Sequence, residues 1–443
     1  MAYCRKRIGK DGRVSYLVTV SLGRDSKGHH ILKSGTYKDD PTKTEKQNEK
    51  ARERFIYEFE QSIENGTIGG KRKTFEAYAR DWLKNYADVE LEKTTASRYR
   101  SGLENTVFPR IGQKKLEDIK PSTIQQMLND MRKTGYTKNG KTKPYSDESC
   151  RTVKIIVSSV MSSAVADGLI AQNPCVLRQR KHKKVEKKEV KCFSIEQAIR
   201  FLDIIEKPIP IMVPEKIVMR HGKPVTRKAY QQGELTVSLK YRVAFTVTIF
   251  SGVRREELLG LQWKDVDFKN NRISINKAAQ YLPETGIFIK APKSSSGFRE
   301  LYLPDACMKL LRQLRAQQRK EILIQGSHWQ GSHKPDENFC FTQEDGRIMF
   351  PSTLRLELVR ILNAYNKTVS DESEKLPVLS FHALRHTTAS ILMAQGLEPT
   401  AIAERLGHSD ASITLQVYAH SFAERDKAAA NALEDVLLKR KTV

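Results

Sequence analysis

The spacing of apolar residues changes character twice along this chain. Residues 15–22, Ser-Tyr-Leu-Val-Thr-Val-Ser-Leu, are rich in β-branched and aromatic side chains. With residues 3–8 and about 30–37 they predict three strands, separated by the turn signals Lys10-Asp-Gly12 and Asp25-Ser-Lys-Gly28. Over 44–63 the apolar positions Ala51, Phe55, Ile56, Phe59 and Ile63 recur at helical spacing and predict a helix covering one sheet face. After the short linker Gly69-Gly-Lys-Arg-Lys73 the spacing is helical throughout. Helices are predicted over 74–86, over 94–107 with Thr94 as cap, over 121–131 with Pro121 in the first turn, and over 146–167. Residues 178–191 carry no periodic apolar face. From Phe193 onward helix and strand mix, beginning with a capped helix over 194–205. Residues 207–236 read as an insertion, with a hairpin about His221-Gly222. A helix over 239–250 follows, then strands at 272–276, 288–289 and 299–303. Helices fill the remainder near 305–324, 351–366, 380–394, 399–406, 410–418 and 422–438.

At 443 residues the chain exceeds one ordinary core, and about 150 residues per domain suggests roughly three. The predicted fold is multidomain α+β. A three-stranded sheet plus helix occupies 1–70 and an all-α unit 74–175; a basic linker spans 176–192. A mixed, mainly α domain with a small sheet fills 193–443, including the insertion at about 207–236 and a C-terminal helix over 423–439.

Charge then names the partner. Lys and Arg number 77 against 52 acidic residues, a net charge of +25, and so one-sided a surplus serves a polyanion. Arg5, Arg7, Arg13 and Lys33 are expected on the sheet face that the helix leaves open, where a sheet can enter a major groove. Arg178, Arg180, Lys181, Lys183 and Lys184 in the linker are expected to track a phosphate backbone. The longest apolar stretch, near 243–250, is far short of the ~20 residues a bilayer span needs, so no membrane partner is expected. None of the six cysteines forms a C-x-x-C pair or stands beside histidines at zinc spacing. Reduced thiols, a cytoplasmic location and no metal or cofactor are expected.

The second half carries a phosphoryl-transfer inventory: Arg254, Lys293, His382, Arg385, His408 and Tyr418. Arg254 follows the turn Ser251-Gly252, and Glu257 three residues later shares its helix face and can hold it. Ser380 can cap a helix on which His382, Arg385 and His386 fall at i, i+3 and i+4. Gly407 ends another helix just before His408. Two arginines can clamp a pentavalent phosphate, a lysine or histidine can move protons, and a tyrosine can attack. With no carboxylate cluster of metal-binding type, a magnesium transposase mechanism is not supported.

Together these boxes resemble the tyrosine recombinases, the phage-integrase family of site-specific DNA recombinases, over nearly the whole chain. Ser251-Gly-Val-Arg254-Arg-Glu-Glu257-Leu resembles the first arginine box, with Ser251 for the usual Thr and Glu256 where a small residue is common. Ala291-Pro-Lys293-Ser-Ser-Ser-Gly-Phe-Arg299 resembles the hairpin bearing the family's lysine. His382 and Arg385 match H-x-x-R, His408 matches the L-G-H box, and Tyr418 matches the nucleophile. The helical segment resembles the core-binding domain, and the N-terminal sheet resembles the arm-binding domain of integrases from phages and conjugative transposons. The resemblance implies integration and excision of a mobile element through a 3′-phosphotyrosine, without metal or ATP. Tyr418 would attack, His382 serve as base, Arg254 and Arg385 clamp, Lys293 act as acid and His408 donate to a phosphate oxygen. It also implies core- and arm-type attachment sites on double-stranded DNA, a homotetramer linked through the C-terminal helix, an excisionase, a DNA-bending protein and a bacterial, nucleoid-associated setting. Three rivals remain: a catalytically idle DNA-binding regulator, a chromosome-dimer resolvase and a type IB topoisomerase.

Overall fold

Three strands, Ala2–Ile8, Val14–Arg24 and His30–Lys38, pair antiparallel in chain order at the N-terminus. Val18 and Val20 point to one face, where Phe59 of the helix Glu45–Glu64 buries them and Phe55 and Ile56 pack alongside. Strand alternation therefore leaves the opposite face open, as three cross-strand rows: Tyr3-Thr19-Ser34, Arg5-Leu17-Thr36 and Arg7-Ser15-Lys38. Arg5 and Arg7 are exposed on that face, as expected. The register departs from expectation at Lys33. It pairs with the buried Val20, so its register position belongs to the helix-covered side. Lys38, paired with Ser15, takes the basic position on the open face instead.

The computed structural model describes residues 2–8, 14–24, 30–64, 73–138, 141–176, 191–213, 216–220, 223–227, 230–292, 297–332, 334–408 and 434. It divides into two compact units, residues 1–185 and 186–443. Arg13, the linker residues Arg178, Arg180, Lys181, Lys183 and Lys184, Lys293 and Tyr418 lie outside the described residues, as do the helix expected near 410–418 and all but residue 434 of that expected near 422–438.

The helical segment has its own apolar core, separate from that of the sheet. Thr74 caps the helix Phe75–Trp82, its hydroxyl accepting from the Ala77 N–H at 3.2 Å. A π-helical turn, Leu83–Ala87, extends it, and another, Leu103–Val107, follows the helix Lys93–Gly102. Thr94 is not the cap expected of it, because Glu92 holds that position and makes no side-chain cap bond. Pro121–Thr134 and Asp147–Ala166 complete the bundle; a short hairpin, Tyr136–Lys138 with Lys141–Lys143, interrupts it.

In the second unit the helix Leu239–Ser251 is apolar nearly all round, and every residue from Val243 to Ile249 is buried. Phe245 sits between Phe201 and Phe381, with ring centroids 5.8 and 6.2 Å away. This places the helix at the centre of the unit. Around it lie a small sheet of Val266–Asp267, Arg272–Ile275 and Arg299–Tyr302, and a separate hairpin of Ala278–Leu282 with Gly286–Lys290. The insertion contains the hairpin expected about residues 221–222, Lys216–Arg220 with Lys223–Arg227. A second pairing, Ile209–Val213 with Tyr230–Leu235, encloses that segment in sequence.

Candidate active site

The central helix ends at Gly252, whose φ of 70° is left-handed. A Cβ there would lie 2.3 Å from Leu406 Cδ2, so the left-handed turn favours glycine and any side chain would have to displace the Leu406 methyl. The chain leaves this turn at Arg254, the N-cap of the short helix Arg255–Gly260. Glu257 does what the three-residue spacing suggests. Its carboxylate accepts from Arg254 Nη1 at 2.7 Å and from the Arg254 backbone N–H at 2.9 Å. Arg254 Nη2 donates to the Gly407 carbonyl at 2.8 Å. The Arg254 side chain stays 36% exposed, open enough to meet a ligand.

The helix Phe381–Ala394 begins after Ser380, which has the extended backbone of an N-cap but makes no side-chain cap bond. Arg385 is buried, 2% exposed, and its Nη1 donates to the Gly252 carbonyl at 2.8 Å. His382 and His386, one turn apart, meet edge to face with ring centroids 4.8 Å apart. His408 follows the helix Pro399–Leu406 and its left-handed Gly407, and its N–H donates to the Ala403 carbonyl at 2.9 Å. Arg254, His382, Arg385 and His408 thus lie about the Gly252 turn and the end of one helix. The positions of Lys293 and Tyr418 are not described.

The electrostatics follow from this crowding. Partial burial lowers the His382 pKa below the usual 6.5, and the Arg385 charge lowers it further, although the residue keeps an exposed edge. His386 is held at about 4, first by burial and then by His382 and Arg385. His408 is held at about 4 by burial, then by Arg385 and Arg254. All three rings are neutral at pH 7, so each can accept a proton. Since His386 and His408 bind protons less readily folded than unfolded, the unit should lose stability as pH falls from about 6.5 through 4. Urea melts at successive pH values check this. The midpoint should fall across that window, and less steeply for His386→Asn; a midpoint flat between pH 7 and 5 would contradict it.

Two residues outside the six-residue inventory join the cluster. His386 was legible from its spacing. Arg299 was not: it lies 42 residues from Glu257, yet its Nη2 donates to Glu257 Oε2 at 2.8 Å. Burial pushes the Glu257 carboxyl up, but the hydrogen bond and charge of Arg299, then those of Arg254, outweigh it and hold the pKa at about 2. Among the described residues, no group of three or more His, Cys, Asp or Glu could hold a metal ion, and no helix is long and apolar enough to cross a membrane.

Comparison with known proteins matches residues 227–425 to the phage integrase family and residues 75–180 to the phage integrase central domain. A tyrosine recombinase XerC-like protein of Caldanaerobacter subterraneus is 24% identical over 447 residues, covering 97% of this chain and 98% of that one. The transposase of transposon Tn916 from Enterococcus faecalis is 21% identical over 83% of this chain and 79% of its own length. The integrase of transposon Tn1549, solved in complex with transposon right end DNA, shares the fold with a TM-score of 0.62 at 21% identity, over 81% of this chain and 99% of that one.

Proposed function

The chain belongs to the phage integrase family of tyrosine recombinases, which break and rejoin DNA strands, and from this premise we propose that it integrates and excises a mobile element at specific sites through a covalent 3′-phosphotyrosine. The observation that carries the reading is the convergence of Arg254, His382, Arg385 and His408 about one turn, with both arginines fixed by hydrogen bonds. Tyr418 attacks the scissile phosphate, and its oxygen replaces the 5′-oxygen of the departing strand. An ordinary tyrosine pKa near ~10 makes the phenol a poor nucleophile at neutral pH, so it needs a base. His382, neutral and partly exposed, supplies one. Arg254 and Arg385 offer planar forks to the non-bridging oxygens, and His408 donates to one of them. Lys293 returns a proton to the leaving 5′-oxygen. The phosphodiester energy is kept in the protein–DNA bond, so rejoining needs no ATP.

Residues 1–70 and 74–175 serve as separate arm- and core-binding domains, a reading supported by their separate apolar cores. Arg5, Arg7 and Lys38 on the open sheet face meet the arm sites, and the basic stretch 176–192 follows the backbone near the core site. The similarity to the Tn916 transposase over 83% of this chain and the three-stranded sheet ahead of the helical unit support a mobile-element role over a chromosome-dimer resolvase or an idle regulator. The protein works in the bacterial cytoplasm as a homotetramer on DNA, with an excisionase and a DNA-bending protein.

The test uses joined-end DNA of the element, nicked near the crossover so that cleavage is trapped. An SDS-resistant adduct formed without metal, with its peptide mapped to Tyr418, is the expected result. Binding without an adduct would return the regulator reading. Deleting residues 1–70 should abolish binding to arm sites and spare cleavage at core sites; arm binding that survives would refute the domain's role.

A further inference from the structure

We propose that Arg299 is a positioning residue for strand cleavage, and that by sharing the buried Glu257 with Arg254 it leaves the Arg254 charge free for the scissile phosphate. The inference rests on the clamp role proposed for Arg254. Its basis is a junction of three hydrogen bonds from one guanidinium. Nη2 donates to Glu257 Oε2 at 2.8 Å, Nε to the Arg405 carbonyl at 2.9 Å, and Nη1 to the Gly297 carbonyl at 3.3 Å. The Arg299 and Glu257 side chains are 7% and 6% exposed, whereas that of Arg254 is 36% exposed. Arg299 is therefore sealed inside, and Arg254 alone of the two faces solvent.

The charge balance follows from this geometry. One carboxylate between two guanidiniums leaves a net positive charge, and the exposed partner carries it outward. If Arg299 were absent, the full charge of Glu257 would fall on Arg254 in a poorly solvated site, where an ion pair is tight. Arg254 would then be drawn into a neutral pair, with less attraction left for a phosphate. The junction also fixes shape. Arg299 holds the Arg405 carbonyl and Arg254 the Gly407 carbonyl, so the two arginines together set the last turn of the helix that precedes His408. Arg405 is the other cation facing this junction. It donates to the carbonyls of Phe250 and Tyr302, and burial and then Arg299 lower its pKa.

The experiment measures single-turnover adduct formation by the full chain on nicked core-site DNA at saturation, alongside equilibrium binding and thermal melting. Arg299→Met should bind DNA much as the wild type does and form adduct slower by on the order of 10². Adding Glu257→Gln should recover roughly tenfold of that loss, because the unbalanced carboxylate is gone. Because removing both partners of a buried pair can also restore stability, the rescue counts for positioning only where the adduct rate changes without a matching change in melting temperature. A wild-type rate for Arg299→Met, or a double variant slower than the single one with rates tracking melting temperature, would overturn the proposal. If Arg299→Met does not fold, Arg299→Gln carries the test: it keeps hydrogen-bond donors but loses the charge, and should cleave slower by on the order of 10² at unchanged binding. A wild-type rate for that variant would also overturn the proposal. Arg254→Lys runs beside them. If it cleaves normally, the clamp reading itself fails; if it is slow while Arg299→Met is unaffected, only the present inference falls.

Discussion

Tyr418→Phe should bind attachment-site DNA as tightly as the wild type and form no detectable covalent adduct. The substitution removes one oxygen and leaves the ring, so its effect on packing is small while its effect on chemistry is total. A tyrosine nucleophile has no substitute here: transfer to water would give a broken strand with no stored bond, and rejoining would stop. Trapped-substrate assays on core-site DNA check the adduct, and gel-shift titration checks binding. A wild-type rate of adduct formation by the Phe variant would remove Tyr418 from the mechanism. Loss of adduct together with loss of binding would instead point to misfolding, which a thermal melt distinguishes.

Local periodicity made much of the site legible. His382, Arg385 and His386 share a face because 3.6 residues make a turn, and Arg254 meets Glu257 for the same reason. Of the caps expected, Ser194 accepts the Gln197 N–H, whereas Thr94 does not hold the cap position and Ser380 makes no side-chain cap bond. Signals that depend on distant partners were not legible. The strand Ala278–Leu282 lacks β-branched residues and is ordered by pairing with Gly286–Lys290. Tyr230–Leu235 is mostly polar and gains its strand from Ile209–Val213. The face assigned to Lys33 went wrong because register, rather than composition, decides which side of a pleat a residue occupies. Arg299 was quoted as part of a motif, but its role depends on Glu257, a partner that only the fold brings near.

Arg254 and Arg385 are proposed to do the same chemistry from different degrees of burial, and this makes their alanine variants separable. Either substitution should slow adduct formation on the order of 10²–10³, the usual cost of losing one charge clamp in a preorganised site. Their stabilities should differ. Arg254 is 36% exposed, and Glu257 keeps Arg299 after it is removed, so Arg254→Ala should melt close to the wild type. Arg385 is 2% exposed and donates to the carbonyl of Gly252, the left-handed turn against which Leu406 packs. Its removal takes the donor from a carbonyl beside the core, which costs about 1–3 kcal/mol. Arg385→Ala should therefore melt earlier, by a few degrees for a unit of this size. Single-turnover cleavage and thermal melting on both variants check the pair. Normal cleavage by either variant would end its role as a clamp. Equal melting of both, with cleavage lost, would keep the clamp and show that the Arg385–Gly252 bond adds no net stability, as expected if the desolvation of a buried guanidinium cancels the hydrogen bond it makes.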